Sequence, residues 1–253
     1  MVEKLPITLP ALSGKKERNI YVYLPESAKK NPKRRYPVLY MFDGHNVFFD
    51  EDATFGKSWG MKRYMDRTRT PLIIVAVECN HGENYARLKE YSPFNFGYKN
   101  ELHIVGRGEK YMDWLINTLK PITDENYPTL PGRESTFIAG SSMGGLMSLY
   151  AVTAHNDVFS RAACLSPSLW TNKKRVLDCI RSSDIRPGTV VYMDYGENEM
   201  KRREDMKGIY TSAVKALLDK DVLLTARIVP HGEHCEASWE KQIPLFMRTL
   251  MDK

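Results

Sequence analysis

The segment that most constrains the fold is a glycine-flanked serine between a strand-like run and a helix-like run. Gly140-Ser141-Ser142-Met143-Gly144 follows the apolar run 135–139 and precedes residues 145–151, which have helical character. A Gly-x-Ser-x-Gly turn in this context holds its central residue in a strained, exposed conformation, and glycines stand where side chains would meet the neighbouring strand and helix. The sequence therefore predicts a nucleophile elbow with Ser142 as the nucleophile.

A nucleophile elbow also predicts where a general base should lie. In this architecture the chain order is Ser, then Asp or Glu, then His, with the histidine after the last strand. The strand-like run 223–229 ends in Pro230-His231-Gly232-Glu233-His234. His231 lies almost at the strand end, whereas His234 is far enough beyond it to swing back. We favour His234 as the base and keep His231 as the alternative.

The acid is expected between the serine and the histidine. The strand-like run 188–195 breaks at Gly196-Glu197-Asn198-Glu199, which we interpret as a loop with two carboxylates. Asp194 falls inside the strand and Glu197 follows the glycine directly, so Glu199 has the better reach toward a histidine. A glutamate suffices because the acid only holds the imidazole tautomer and stabilises its positive charge.

Acyl transfer from an ester also needs two hydrogen-bond donors for the developing oxyanion. One should be the backbone amide of Met143, the residue after the nucleophile. The second is expected in Asp43-Gly44-His45-Asn46, which follows the strand-like run 37–42. We predict the Gly44 or His45 amide for this role. The His45 imidazole is a possible pocket group, and Asp43 is expected to support the loop.

The alternation of strand-like and helix-length segments predicts an α/β fold, in a single domain spanning residues 1–253. Several strands are almost continuously apolar, which is typical of a mostly parallel sheet covered by helices on both faces. A chain of this length leaves no room for a large cap domain. The predicted strands are 19–24, 37–42, 71–77, 137–139, 162–165, 188–195 and 223–229, and the predicted helices are 61–68, 105–119, 145–154, 173–181, 202–218 and 237–251.

A long segment without clear periodicity, from Asn80 to about Asn100, is rich in aromatic residues. Segments of this length are uncommon in compact domains unless they have a function. The rings could form the wall of a substrate pocket, or they could anchor the segment to the core, and the sequence does not separate these two interpretations. They are Tyr85, Tyr91, Phe94, Phe96 and Tyr98.

Charge and cysteine content argue against several other classes of protein. The formal net charge is +6, and the densest basic run, residues 29–35, contains a proline and is expected to be a solvated turn rather than a nucleic-acid site. The four cysteines show no zinc-type spacing, so we expect free thiols, no metal and no cofactor. No run approaches the roughly 20 apolar residues of a membrane span. We expect a cytoplasmic protein that contacts no membrane, and the sequence gives no indication of its oligomeric state.

Taken together, these motifs resemble the putative esterase family of α/β-hydrolases, which includes esterase D, enterochelin esterases, and feruloyl and acetylxylan esterases. The resemblance extends over most of the chain, from about residue 19 to 245. The matching segments are residues 36–48, Ser58-Trp59-Gly60, Glu90-Tyr91-Ser92-Pro93, Gly140 to Gly145, Leu165 to Trp170, and Gly232-Glu233-His234 with Trp239.

The resemblance implies an α/β-hydrolase fold and a serine carboxylic-ester hydrolase with a small-molecule ester substrate. It implies Ser142 as the nucleophile and His234 as the base, and it supports Glu199 because family members place the acid three residues after a glycine here. We take Trp59, Tyr91 and Trp170 as candidate substrate-binding residues.

Two departures from the family pattern keep alternatives open. The family often has Asp-Gly-Gln-Asn where this chain has Asp43-Gly44-His45-Asn46, and its acid is often Asp rather than Glu. The first leaves the oxyanion-side contacts open, and the second leaves Glu197 as an alternative acid. The same residues would also serve an acyltransferase with an alcohol or sugar acceptor, and a non-catalytic binding protein on this fold is the third possibility.

Overall fold

In the computed structural model, residues 1–98 and 102–252 are described, and an eight-stranded sheet organises them. Its strand order is β1-β2-β4-β3-β7-β8-β9-β10, with β1 and β2 antiparallel to their neighbours and the other six strands parallel. The strands are β1 Val2–Thr8, β2 Glu17–Tyr23, β3 Val38–Phe42, β4 Ile73–Val77, β7 Thr136–Ser141, β8 Arg161–Leu165, β9 Val190–Gly196 and β10 Leu223–Val229, and a separate hairpin contains β5 Phe96–Tyr98 and β6 Leu102–Ile104.

Helices cover both faces of the sheet. The helical bounds are α1 Pro10–Ser13, α2 Glu26–Lys30, α3 Met61–Thr68, α4 Ala86–Glu90, α5 Gly108–Trp114, α6 Lys120–Asn126, α7 Met143–Ala154, α8 Lys173–Ser182, α9 Glu197–Arg202, α10 Glu204–Leu218, α11 Glu236–Glu240 and α12 Ile243–Met251. Across the described part of the chain, every helix is too short or too polar to span a lipid bilayer. The architecture is an α/β-hydrolase fold, as the sequence predicts.

Two hydrophobic cores lie on opposite faces of the sheet, and the central strands contribute to both. In β3, Val38, Tyr40 and Phe42 belong to one core, whereas Leu39 and Met41 belong to the other. Successive side chains of a strand point to opposite faces, so a strand buried on both sides must be apolar at every position. This is why the central strands read as continuous apolar runs in the sequence.

The predicted loops differ from the structure in two places. The segment 196–199, predicted as a loop with two carboxylates, is the end of β9 and the first turn of α9. Within the predicted long loop, the structure has α4 and β5, while residues 99 and 100 lie outside the described residues. Helix α4 is shorter than two helical turns, and β5 is shorter than a typical strand. Segments this short show no clear hydrophobic periodicity.

The fold places the predicted chemistry at one edge. Parallel strands end on the same side of the sheet, and the carboxyl ends of β3, β7, β9 and β10 lead directly into the predicted loop or helix residues. Open α/β sheets collect their ligands at this edge. The predicted nucleophile, acid, base and oxyanion segment therefore converge, although they are far apart in the chain.

Candidate active site

Ser142 occupies a sharp turn between β7 and α7. Its backbone has φ 58° and ψ −120°, an uncommon conformation for a residue other than glycine. A Cβ atom at Gly140 would lie 2.7 Å from the backbone of Gly144, closer than atoms can approach. Only glycine therefore fits at position 140. The sharp turn places the Ser142 side chain at the edge of the sheet.

The His234 imidazole lies between a serine and a carboxylate. His234 Nε2 is 2.9 Å from Ser142 Oγ, and His234 Nδ1 is 2.6 Å from Glu199 Oε2. With Nδ1 protonated and bonded to the carboxylate, Nε2 carries the lone pair that can accept the serine proton. The structure thus brings together Ser142, His234 and Glu199 in the relative positions of a nucleophile, a base and an orienting acid.

Three hydrogen bonds hold the Glu199 carboxylate. Besides the contact with His234, Oε1 accepts hydrogen bonds from Ser166 Oγ at 2.6 Å and from the Gly196 amide at 3.0 Å. Burial alone would raise the pKa of this carboxyl, but the hydrogen bonds from His234 and Ser166 outweigh burial and lower it. Glu199 therefore remains ionised near neutral pH.

Ser166 also belongs to this network, although the sequence motifs predicted no role for it. Its hydroxyl donates to Glu199 and accepts a 3.1 Å hydrogen bond from Trp239 Nε1. The Trp239 ring also packs edge-on against the His234 imidazole, with ring centroids 5.0 Å apart. Ser166 and Trp239 both lie in segments that resemble the family. That resemblance was the only feature of the sequence that could have indicated a role for them. Together they fix the acid and the imidazole ring.

The two alternatives for acid and base lie outside this network. Glu197 accepts a 2.9 Å hydrogen bond from the His231 amide and pairs with Lys201 at 2.8 Å. The His231 side chain is 90% exposed. Glu197 and His231 therefore contact each other and solvent rather than Ser142.

Two chain segments were predicted to supply backbone amides for an oxyanion. Met143 begins α7, and the first amides of a helix have no partner within it. In the other segment, Gly44–Asn46 forms a short 3₁₀ turn in which the Asn46 and Val47 amides donate to Asp43 and Gly44. The amides of Gly44 and His45, which the sequence predicts as alternatives for the second donor, are not used in those two bonds.

The turn after β3, predicted to supply an oxyanion donor, is packed tightly against β4 and supported by Asp43. A Cβ atom at Gly44 would lie 2.5 Å from the Ala76 carbonyl oxygen, so the backbone approaches β4 as only glycine permits. The Asp43 carboxylate accepts paired hydrogen bonds from the Arg87 guanidinium at 2.6 and 2.7 Å. Burial would raise the pKa of the Asp43 carboxyl, but the charge of Arg87 outweighs burial and lowers it. Asp43 supports the loop as an ion-pair partner.

Comparison with known proteins shows what this chain is similar to. The sequence matches the family described as Putative esterase over residues 12–250, nearly its whole length. The chain belongs to the putative esterase family. It is a carboxylic ester hydrolase by this membership. The uncharacterized protein YbbA of Bacillus subtilis is 25% identical to this esterase over 193 residues, which cover 75% of this chain and 72% of YbbA.

Solved structures share the fold of this esterase. An IroE-like serine hydrolase from Shewanella oneidensis has a TM-score of 0.75 with 18% sequence identity, and the match covers 98% of this chain and 78% of that one. A ferulic acid esterase from Anaeromyces mucronatus, solved with ferulic acid, has a TM-score of 0.68 with 18% identity, covering 98% and 90%. At these identities the likeness establishes the fold alone.

The cleft of the esterase has two parts, and His234 lines both of them. One, of about 250 Å³, is lined by Trp170, Tyr195 and Met206 together with two arginines. The other, of about 300 Å³, contains Ser142 and His45. Trp170 was a candidate substrate-binding residue, and it lines the first part.

The structure corrects the substrate-binding prediction for Tyr91 and Trp59. Tyr91 is fully buried, with its ring 5.0 Å from the Phe42 ring centroid. Trp59 is 3% exposed and packs against Trp239 and Phe246. Both rings belong to the core beneath the site, because the segments that resemble the family carry structural residues as well as functional ones. Tyr91 therefore anchors the aromatic segment to the core.

Asp194, the third acid candidate, is buried in β9 and does not contact His234. Its carboxyl accepts hydrogen bonds from the Tyr192 hydroxyl at 2.6 Å and from the Ser166 amide at 3.3 Å. Burial raises its pKa from 3.8 to about 6. Asp194 therefore supports the segment after β8 instead of orienting the base.

The raised pKa of Asp194 predicts a pH-dependent stability difference between the wild type and Asp194→Asn. The folded state binds the proton of the Asp194 carboxyl more tightly than the unfolded state does. The contribution of this proton to the free energy of unfolding is therefore fully present below pH 3.8 and is lost as pH rises through about 6. A shift of this size corresponds to about 3 kcal/mol. Denaturant unfolding of both proteins across this range should show the wild type losing about that much free energy relative to the variant. A pH-independent difference would contradict the burial argument.

Proposed function

We propose that this chain hydrolyses carboxylic esters through an acyl-Ser142 intermediate, with His234 as general base and acid and Glu199 as the orienting carboxylate. The observation that carries the proposal is the pair of hydrogen bonds made by His234, at 2.9 Å to Ser142 Oγ and at 2.6 Å to Glu199 Oε2. A serine hydroxyl is a poor nucleophile until a base removes its proton, and this geometry supplies the base.

In the first half of the reaction, Ser142 Oγ attacks the ester carbonyl carbon while its proton passes to His234 Nε2. The imidazolium then donates that proton to the leaving alkoxide as the ester C–O bond breaks, and the acyl group remains on Ser142. Glu199 stabilises the imidazolium and keeps its own charge. The ionised state of Glu199 suits this role, since its pKa is lowered by the hydrogen bonds it accepts.

The negative charge that develops on the carbonyl oxygen needs preorganised donors. We assign the Met143 amide, at the start of α7, and the Gly44 or His45 amide, in the turn after β3. Removal of a single oxyanion donor from a serine hydrolase costs roughly 3 to 4 kcal/mol of transition-state stabilisation. The tight packing of Gly44 against Ala76 limits how far the second donor can move.

In the second half, a water molecule replaces the alcohol. His234 Nε2 removes its proton, the resulting hydroxide attacks the acyl carbon, and Ser142 Oγ leaves with the proton returned by His234. The products are a carboxylic acid and the regenerated enzyme. An acyltransferase would use an added alcohol in place of water.

The pocket beside His234 is suited to an apolar or aromatic part of the ester. Trp170, Tyr195 and Met206 supply its apolar surface. The ferulic acid esterase with this fold acts on an aromatic acid ester, as its name says. We propose esters of aromatic acids or of short aliphatic acids as substrates.

An ester panel tests the function and separates hydrolysis from transfer. Acetyl, butyryl, feruloyl and trilactone esters would be compared by kcat/KM, with and without an added alcohol or sugar. We expect free acid as the product with at least one ester class, at a rate that the acceptor leaves unchanged. Formation of a new ester with the acceptor would instead indicate a transferase, and no turnover of any ester would refute the proposal.

A matched pair of carboxylate variants tests the assignment of the acid. Glu199→Gln should lower kcat by about 10³- to 10⁴-fold, because an amide cannot stabilise the imidazolium and favours the wrong tautomer. Glu197→Gln is the control, since Glu197 contacts His231 and Lys201 outside the network. It should have little effect on kcat. The opposite ranking of the two variants would transfer the role to Glu197.

A further inference from the structure

A cluster of three metal-ligating side chains lies in the same part of the cleft as Ser142. His45, Cys79 and His81 each offer one ligand atom, and these atoms lie within 4.8 Å of one another. His45 and Cys79 are buried, whereas His81 is exposed at the rim. All three line the 300 Å³ part of the cleft. We infer that they form a binding site for a thiophilic transition metal ion of the Zn²⁺ class.

The His45 ring has one nitrogen free for an ion. Its Nε2 is 3.0 Å from Thr54 Oγ1, while Nδ1 is buried and has no hydrogen-bond partner among the described residues. Leaving a buried polar atom without a partner is energetically unfavourable, because the atom has lost its hydrogen bonds to water. If Nε2 carries the proton and donates to Thr54, Nδ1 holds a lone pair, which is the state that metal coordination requires.

The His81 ring is arranged in a similar way. Its Nε2 is 3.2 Å from Glu78 Oε1, and the other oxygen of Glu78 accepts hydrogen bonds from Asn19. A carboxylate behind a histidine is the common support for a metal-bound imidazole, because it fixes the tautomer and raises ligand basicity. This contact leaves Nδ1 of His81 as the nitrogen for an ion. The two imidazole rings are 4.6 Å apart at their centroids.

Cys79 determines which kind of ion the cluster favours. It is a free thiol, 3% exposed, two residues after the end of β4. One thiolate and two imidazoles are a donor set that selects Zn²⁺, Co²⁺ or copper over Mg²⁺ and Ca²⁺. On binding, the thiol S–H bond breaks, a sulfur–metal bond forms, and the proton passes to solvent. The oxidation states of sulfur and metal do not change.

The charge around the cluster is compatible with a cation. The Asp43 carboxylate is neutralised by Arg87, so the pair contributes little net charge. Glu78 retains a negative charge beside His81. Three protein ligands also leave the fourth position of a tetrahedral ion open, as in zinc sites that take water or an external ligand. The open position would be in the cleft that Ser142 and His234 line.

The sequence expectation of no metal site rests on cysteine spacing, which is informative only for ligands close in the chain. His45 follows β3 and Cys79 and His81 follow β4, and these two strands are parallel neighbours, with Phe42 paired to Val77. The sheet therefore brings together residues that are more than thirty positions apart. Only the Cys-x-His pair at 79 and 81 was visible in the sequence, and it is a weak signal.

Co²⁺ binding to chelator-treated protein tests the site directly. We expect one Co²⁺ per chain and a thiolate-to-cobalt charge-transfer absorption band, with Zn²⁺ displacing Co²⁺ in competition. Cys79→Ser should abolish the band. His81→Gln removes a proposed ligand and should weaken Zn²⁺ affinity by at least the roughly 10- to 100-fold that loss of a partner behind a ligand costs. The His81 side chain is half-exposed, so this substitution should not unfold the protein.

Three control variants keep the test specific. Cys235→Ser removes another cysteine and His231→Gln removes another exposed histidine, and both should bind Co²⁺ as the wild type does. Ser142→Ala should also bind normally, so failure of the proposed catalytic role and failure of the metal site are distinguishable. A wild type without the band, or a Cys79→Ser protein that keeps it, would overturn the inference.

Discussion

Ser142→Ala is expected to lower kcat by about 10⁵- to 10⁶-fold on a short-chain nitrophenyl ester, with KM little changed. The variant lacks the atom that forms the acyl intermediate, whereas the cleft and the backbone amides remain. The residual rate should come from oxyanion stabilisation and binding alone. Steady-state kinetics with the nitrophenolate product would measure the loss.

Ser168→Ala is the matched control for this experiment. Ser168 Oγ lies 3.4 Å from Ser142 Oγ, in the same site, but His234 bonds to Ser142. Its removal should leave most of the activity in place. Thermal unfolding should show that both variants remain folded, since alanine retains the backbone of either turn. Turnover of Ser142→Ala at the wild-type rate would exclude Ser142 as the nucleophile.

His234→Ala should be about as severe as Ser142→Ala, because the serine proton then has no acceptor at 2.9 Å. In serine hydrolases with a catalytic triad, loss of either the nucleophile or the base removes nearly the whole catalytic effect. If Ser142 and His234 have the proposed roles, the double variant should be no worse than the single ones. The kcat values of the two single variants and the double variant would test this non-additivity.

His231→Ala provides the control for the histidine, three residues away in the same loop. Its side chain is 90% exposed, and both its amide, at 2.9 Å, and its ring Nδ1, at 3.7 Å, contact Glu197 rather than Ser142. Activity should change little. If His231→Ala lost its activity and His234→Ala kept it, the base would be His231 and the observed hydrogen bonds would have no catalytic role.

The parts of the site that the sequence predicts are those fixed by local geometry and chain order. Gly140 and Gly144 around Ser142 specify a turn that few other residues can form, which is why the elbow could be recognised. The structure places His234 and Glu199, selected by their distance from strand ends, in contact with each other. His231 and Glu197 lie closer in the chain to the ends of their strands, and for that reason the sequence favoured His234 and Glu199.

The parts that the sequence did not predict depend on packing or on strand order. Tyr91 and Trp59 are aromatic residues in recognisable segments, but whether a ring faces a cleft or a core is decided by elements distant in the chain. Strand β1 was missed because it is an exposed edge strand with charged residues and a proline, so it has no apolar run. The His45, Cys79 and His81 cluster required knowledge that β3 and β4 are neighbours.

Covalent labelling of the nucleophile tests the catalytic proposal most directly. A fluorophosphonate reacts with an activated serine, losing fluoride as the Ser Oγ–phosphorus bond forms. Intact-mass and peptide analysis should show one phosphonyl group per chain on Ser142, at a rate that falls sharply in His234→Ala and is unaffected in His231→Ala. Absence of labelling, or labelling at a residue other than Ser142, would contradict a Ser142-centred mechanism.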